Sequence, residues 1–188
     1  MRKVMMFNSV SLDGYFTDGG GDMSWAHSQD PEWQRFTSEN AGGEAEYLFG
    51  RKTYQMMASF WPTAQARQMM PAVAKAMNET RKTVFSHTLA QATWQNSRLV
   101  KGDLADEVRR MKAEPGPGIL IMGSGEIVSQ LTEAGLIDEY QIVTVPLILG
   151  RGRSLFEGVS RRPRLELTQS RVFANGNVVS SYRSAPAG

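Results

Sequence analysis

The sequence predicts an α/β protein built on a mainly parallel sheet, with helices on both faces and an antiparallel hairpin near its C-terminal end. Three observations lead there. Short apolar runs alternate with segments of helical spacing through most of the chain. The run Ile119 to Met122 breaks at Gly123-Ser124-Gly125, and apolar residues resume at Val128, Leu131 and Ala134, the pattern of a buried strand feeding a helix. Asn175-Gly176 lies between two strand-like segments, a strong short hairpin signal.

The elements follow in order. A first strand covers 3–9, and a Gly- and Asp-rich loop runs from Asp13 to Ser28. Asp30 then caps a helix whose first turn holds Pro31 and whose Trp33 and Phe36 share one face. A short strand at 46–49 ends at Gly50 and precedes a helix from Arg51 to about Ala58. A helix spans roughly 66–79, either interrupted by Pro71 or beginning its first turn there. Strands follow at 82–85 and 98–100. Asp103 caps a helix carrying Leu104, Val108 and Met111. After the strand at 119–122 comes a helix at 126–134, stopped by Gly135. A β-branched strand at 140–145 ends at Pro146, and segments 165–173 and 177–182 form the terminal hairpin. Residues 1–184 read as one domain and 185–188 as a tail.

Composition removes several classes of function. The chain has 188 residues and no cysteine, so disulfides, thiolate metal sites and cysteine nucleophiles are excluded. Only His27 and His87 are present, and no metal site is expected. The net charge is +2, with basic residues in scattered pairs rather than a stripe, so no nucleic-acid partner is expected. The apolar run at 4–7 is too short for a signal peptide, and no segment is long enough to span a membrane. A cytoplasmic protein is the expectation.

In an open parallel sheet ligands gather beyond the carboxyl ends of the strands. Three such ends carry suggestive residues: Gly50-Arg51-Lys52-Thr53, Ser86-His87-Thr88 and Gly123-Ser124-Gly125-Glu126. Gly123 and Gly125 lack the Cβ atoms that would hold a ligand off the main chain, and the helix after them offers unpaired N–H groups and a positive dipole end. Together they suit a phosphate or pyrophosphate. Each motif also has an ordinary structural reading, as a tight β–α turn, an exposed helix start or a turn histidine. The Gly-x-Gly-x-x-Gly signature of a Rossmann domain is absent.

In this order and spacing the motifs resemble the dihydrofolate-reductase-like superfamily, and within it the reductase (C-terminal) domain of RibD-type riboflavin biosynthesis proteins. Ser11-Leu12-Asp13-Gly14, Gly50-Arg51-Lys52-Thr53-Tyr54, the Gly123 turn, and Pro146 to Gly152 with Leu155-Phe156 carry the resemblance. It implies a dihydrofolate-reductase-like three-layer sandwich and NADPH as cofactor. Arg51, Lys52 and Thr53 would meet its phosphates, Ser86 and His87 would flank the 2′-phosphate, and Gly123, Ser124, Gly125, Glu126 and Ile127 would cradle the pyrophosphate. Asn8, Val10 and the loop through Asp13 and Tyr15 would border the nicotinamide. It also implies a homodimer through the C-terminal strands.

The chain departs from riboflavin reductases in carrying Tyr15 where they have Lys, and Ile121-Met122 where they have Glu. Their segment for the ribose phosphate is not recognisable. Met23-Ser24-Trp25 with Asp30 and Trp33 is similar to the dihydrofolate reductase arrangement of a carboxylate on the helix after the first loop. The expected activity is hydride transfer from NADPH to a flat heterocycle, with a proton from Asp30, Asp13 or water. Phe16, Trp25 and Trp61 are candidate walls of the substrate cleft. The alternatives are a dihydrofolate-reductase-type activity and a cofactor-binding protein without catalysis.

Overall fold

A computed structural model describes residues 1–41 and 43–185. The strands are β1 (Val4–Ser11), β2 (Tyr15–Asp18), β3 (Ala45–Gly50), β4 (Lys82–Phe85), β5 (Ser97–Val100), β6 (Gly118–Met122), β7 (Glu139–Val145), β8 (Gly152–Ser154), β9 (Leu165–Val172) and β10 (Val178–Ser184). The helices are α1 (Pro31–Ala41), α2 (Arg51–Phe60), α3 (Ala64–Met69), α4 (Pro71–Glu79), α5 (Leu104–Ala113) and α6 (Gly125–Glu133), with a 3₁₀ turn at Ser24–Ala26.

Eight strands form one sheet in the order β5-β4-β3-β6-β1-β7-β10-β9. The six from β5 to β7 are parallel, and β10 runs antiparallel to both β7 and β9. The inner strands are apolar on both faces, as strands covered on both sides must be. Leu48, Ile119 and Ile121 point to one face and meet Val108 and Met111 of α5 and Val128 and Leu131 of α6. Their neighbours Tyr47, Phe49 and Leu120 point to the other and meet Tyr54 of α2 and Val73 and Met77 of α4. Trp33 of α1 packs on Val143, Val145, Phe173 and Val179. The result is the three-layer, dihydrofolate-reductase-like sandwich that the sequence predicts, with the hairpin supplying the antiparallel strands. No helix among the described residues is long and apolar enough to cross a membrane.

One feature settles an alternative left open in the sequence reading, and a second departs from it. The helix expected over 66–79 is two helices, because Pro71 opens α4 at its first turn and Met70 before it leaves helical geometry at φ −141°. The loop from Asp13 to Ser28 contains β2, which pairs with β8, more than 130 residues further along. Gly152 makes this pairing possible, since a Cβ there would lie 1.9 Å from the Thr17 carbonyl oxygen. The tail expected at 185–188 falls, beyond Ala185, outside the described residues.

Candidate functional site

The carboxyl ends of β3 and β6 lie side by side and launch α2 and α6 from the same edge of the sheet. Two hydroxyls lock these starts together. The Ser124 N–H donates to Thr53 Oγ1 at 3.0 Å, and the Gly50 N–H donates to Ser124 Oγ at 3.0 Å. The turn that permits this is left-handed at two successive residues, Gly123 at φ +65° and Ser124 at φ +56°. A side chain at Gly123 would press on Thr53, with its Cβ 3.0 Å from Thr53 Cγ2.

The two starts share a second property. Helices α1, α3 and α5 are capped by side chains: Asp30 accepts from Trp33 N–H, Thr63 from Ala66 N–H and Asp103 from Asp106 N–H. Gly50 at α2, Met70 at α4 and Ser124 at α6 cap their helices with no side chain, and of these the α2 and α6 starts are the two that adjoin. Two positive dipole ends therefore stand together with first-turn N–H groups open to an outside acceptor. Arg51 and Lys52 are exposed beside them and form no ion pair with a carboxylate among the described residues. Glu126 lies at the rim, 75% exposed in its side chain, and is held 3.7 Å from Arg153. Ile127 is buried and supports Gly50 from below.

Asn8 reaches the same turn from β1, donating from Nδ2 to the Gly123 carbonyl at 3.1 Å. Its Oδ1 is buried and has no hydrogen-bond partner in the protein. Val10 is half-buried two residues further along the strand. At β4, Ser86 is buried and its hydroxyl accepts the N–H groups of Thr88 and Leu89, so it shapes its own turn. His87 next to it is exposed, with its ring edge-on to Phe85.

The two candidate acids serve as acceptors. Asp13 takes the Ser11 hydroxyl at 2.6 Å and the N–H groups of Leu149 and Gly150 at 3.1 and 2.7 Å. Hydrogen bonding from Ser11 first, and then from those backbone groups, holds its carboxyl below the usual range. These bonds favour the ionised form and tie the 147–150 loop to Asp13. Ser11 completes the motif by accepting the Tyr15 N–H at 2.9 Å. Asp30 caps α1 through Trp33.

The aromatic candidates separate. Phe16 is core, 7% exposed, and its ring fills the space where a Gly125 side chain would stand, 2.9 Å from that Cβ. Trp25 is half-buried against the α1 cluster and donates to the Asp22 carbonyl. Trp61 follows the C-terminal end of α2, about 15 Å along the helix from Arg51 at 1.5 Å per residue, and the fold does not bring it to the turn. Residues the sequence reading did not assign are Leu149, Gly150 and Arg153. Their signal was the Pro146 to Gly152 stretch, which folds back onto Asp13 and the α6 start. No group of metal-ligating side chains occurs among the described residues.

Known proteins share this architecture. A protein from Shewanella sp. PV-4 ascribed to riboflavin biosynthesis superposes with a TM-score of 0.74 at 23% identity, covering 97% of this chain and 99% of its own. The deaminase/5-amino-6-(5-phosphoribosylamino)uracil reductase of Thermotoga maritima gives 0.69 at 17% identity, over 98% of this chain and 57% of that one. In sequence, YyaP of Bacillus subtilis is 26% identical over 181 residues, 96% of this chain and 94% of YyaP. The match to the RibD C-terminal domain runs over residues 2–179, and the chain belongs to that reductase-like family.

Proposed function

We propose that this protein is an NADPH-dependent reductase acting on a flat heterocycle, as the reductase half of the Thermotoga protein's name describes for a ribosylaminouracil phosphate. The observation that carries the reading is the pair of uncapped helix starts at Gly50 and Ser124, locked through Thr53. Such a pair suits a pyrophosphate, which meets open N–H groups and two positive dipole ends at once. Arg51 and Lys52 add charge-assisted contacts for a further phosphate, and His87 lies at the next strand end. The site then extends along the sheet edge from β4 through β3 and β6 to β1. Three strand spacings amount to about 14 Å, a span that suits an extended dinucleotide.

When bound, the cofactor supplies the hydride, and the protein's share is orientation and electrostatics. The Gly50 and Ser124 starts hold the phosphates, and Asn8 faces the ring end. With Asp13 engaged as a clamp and Asp30 as a cap, the proton is assigned to water. A second copy of the chain covers β9, whose Leu167 and Val172 are 58% and 72% exposed beside an unpaired strand edge. Leu167→Glu is expected to convert a dimer to a monomer by light scattering.

Titration calorimetry with NADPH and NADH, followed by NADPH oxidation with pterins and pyrimidines, tests the reading. A preference for NADPH of at least about tenfold is expected, equivalent to ~1.4 kcal/mol. Equal affinities would remove the 2′-phosphate assignment, and tight binding without turnover on any heterocycle would leave a binding protein.

A further inference from the structure

We infer that the groove between α4 and the 93–95 loop is a separate binding site, for a small organic monoanion with an apolar body. The groove has a volume of about 830 Å³, within the range of small-molecule sites, and lies at the far end of α2 from Arg51. It is apart from the cofactor row, and the inference does not depend on that reading.

Asn78 fixes the shape of the groove from within. Its Nδ2 donates to the carbonyls of Trp61 and Ala74 at 2.9 and 2.7 Å, and its Oδ1 accepts the Trp94 indole N–H at 2.7 Å. One side chain thus ties the residue after α2, the body of α4 and the 93–95 loop together. The walls are set before any ligand arrives, which lowers the cost of binding. With both donors and the oxygen engaged, Asn78 leaves recognition to its neighbours.

The apolar surface of the groove comes from Pro62, Pro71, Ala74 and the buried Trp94. Its charge comes from Arg67 and Lys75, both exposed and neither paired with a carboxylate among the described residues. Arg67 is held over the groove by a hydrogen bond from Nη2 to the Pro62 carbonyl, which leaves its other N–H groups open. A third cation, Lys82, lies 4.3 Å from the centre of the Trp94 ring. Against these stands one carboxylate of the lining, Glu79, which is exposed. A cationic ligand would be repelled at this rim, and a neutral one would gain the apolar floor alone. A carboxylate gains both, because a guanidinium can meet it through two N–H groups.

The probe is 2-naphthoate, compared with 2-naphthamide, which has the same ring system and no charge. Calorimetry should show naphthoate bound at about 1 mM or tighter, and about threefold more tightly than the amide, the range of an exposed charge pair. Arg67→Gln and Lys75→Gln are surface changes that should each lower this ratio. The double variant should bring it to about one while leaving amide binding as it was. Arg51→Gln, at the other end of α2, should leave the ratio unchanged. Equal binding of the two probes, no binding of naphthoate, or a preference that survives the double variant overturns the proposal. Loss of the preference in Arg51→Gln would place the anion at the cofactor row and overturn it as well.

Discussion

Thr53 Oγ1 accepts the Ser124 N–H at 3.0 Å, so the first turn of one helix orders the turn that starts another. The contact joins sequence motifs 71 residues apart. Thr53→Val keeps the shape and removes the acceptor, leaving a part-buried N–H without a partner, a loss of about 1–3 kcal/mol. We expect a lower melting temperature and weaker NADPH binding together, with Thr53→Ser restoring both. Thermal unfolding with and without NADPH checks this, and an unchanged Thr53→Val protein would show that the lock carries no stability.

Gly125 is required by the protein's own packing. Phe16 occupies the volume a side chain would need, so Gly125→Val drives a branched side chain into an aromatic ring at the core edge. Overpacking of this kind costs typically 1–3 kcal/mol. The variant should be destabilised even without cofactor, and Gly125→Val with Phe16→Ala should lose less than the sum of the two single losses. Denaturant unfolding of the single and double variants gives the coupling directly.

Much of this was legible in the sequence for physical reasons. Unbroken apolar runs at 47–49 and 119–121 mark strands buried on two faces. Asp30, Asp103 and Asn175-Gly176 act through contacts spanning a few residues, so local chemistry reveals them. What could not be read depends on distant partners. Tyr15-Phe16-Thr17 is β-prone, yet β2 exists only because Gly152 admits it, and nothing near Tyr15 says so. Nothing near Asp13 shows that Leu149 and Gly150 reach it from the other end of the chain. The two glycines of the turn read as room for a ligand, whereas Thr53 and Phe16 already fill the space their side chains would take.

The carboxylates give a pair of separable outcomes. Asp30→Asn should be nearly silent in both stability and turnover, because Asn caps as well as Asp, while Asp30→Ala should lose about 1 kcal/mol of stability. A fall in turnover of roughly 10²–10⁴ in Asp30→Asn would instead identify a general acid. Asp13→Asn should flatten the acid limb of the stability curve. The folded Asp13 holds its proton less tightly than the unfolded one, so it stabilises above the unfolded pKa and loses that effect as pH falls through the folded value. Acid titration followed by circular dichroism compares the two proteins.

Lys82 sets the alkaline side. It is 1% exposed, with Nζ donating to the carbonyls of Asn78 and Thr80 at 3.2 and 2.5 Å and lying 4.3 Å from the centre of the Trp94 ring. Those contacts favour the ammonium, but burial outweighs them and lowers its pKa from 10.5 to about 8. Between these values the unfolded chain still binds the proton that the folded chain has released. Stability should therefore rise as pH increases from about 8 towards 10, after carrying the full penalty of the buried charge below 8. Tyr47, raised by burial to about 12, acts with the opposite sign and only above about 10, where the unfolded phenol ionises first. Lys82→Met removes the titrating group and should remove the rise between pH 8 and 10 while leaving the decline above it. Urea unfolding at half-unit pH intervals measures both slopes, and a wild-type curve that is flat or falling from pH 8 to 10 would show that the carbonyls and Trp94 hold the ammonium after all.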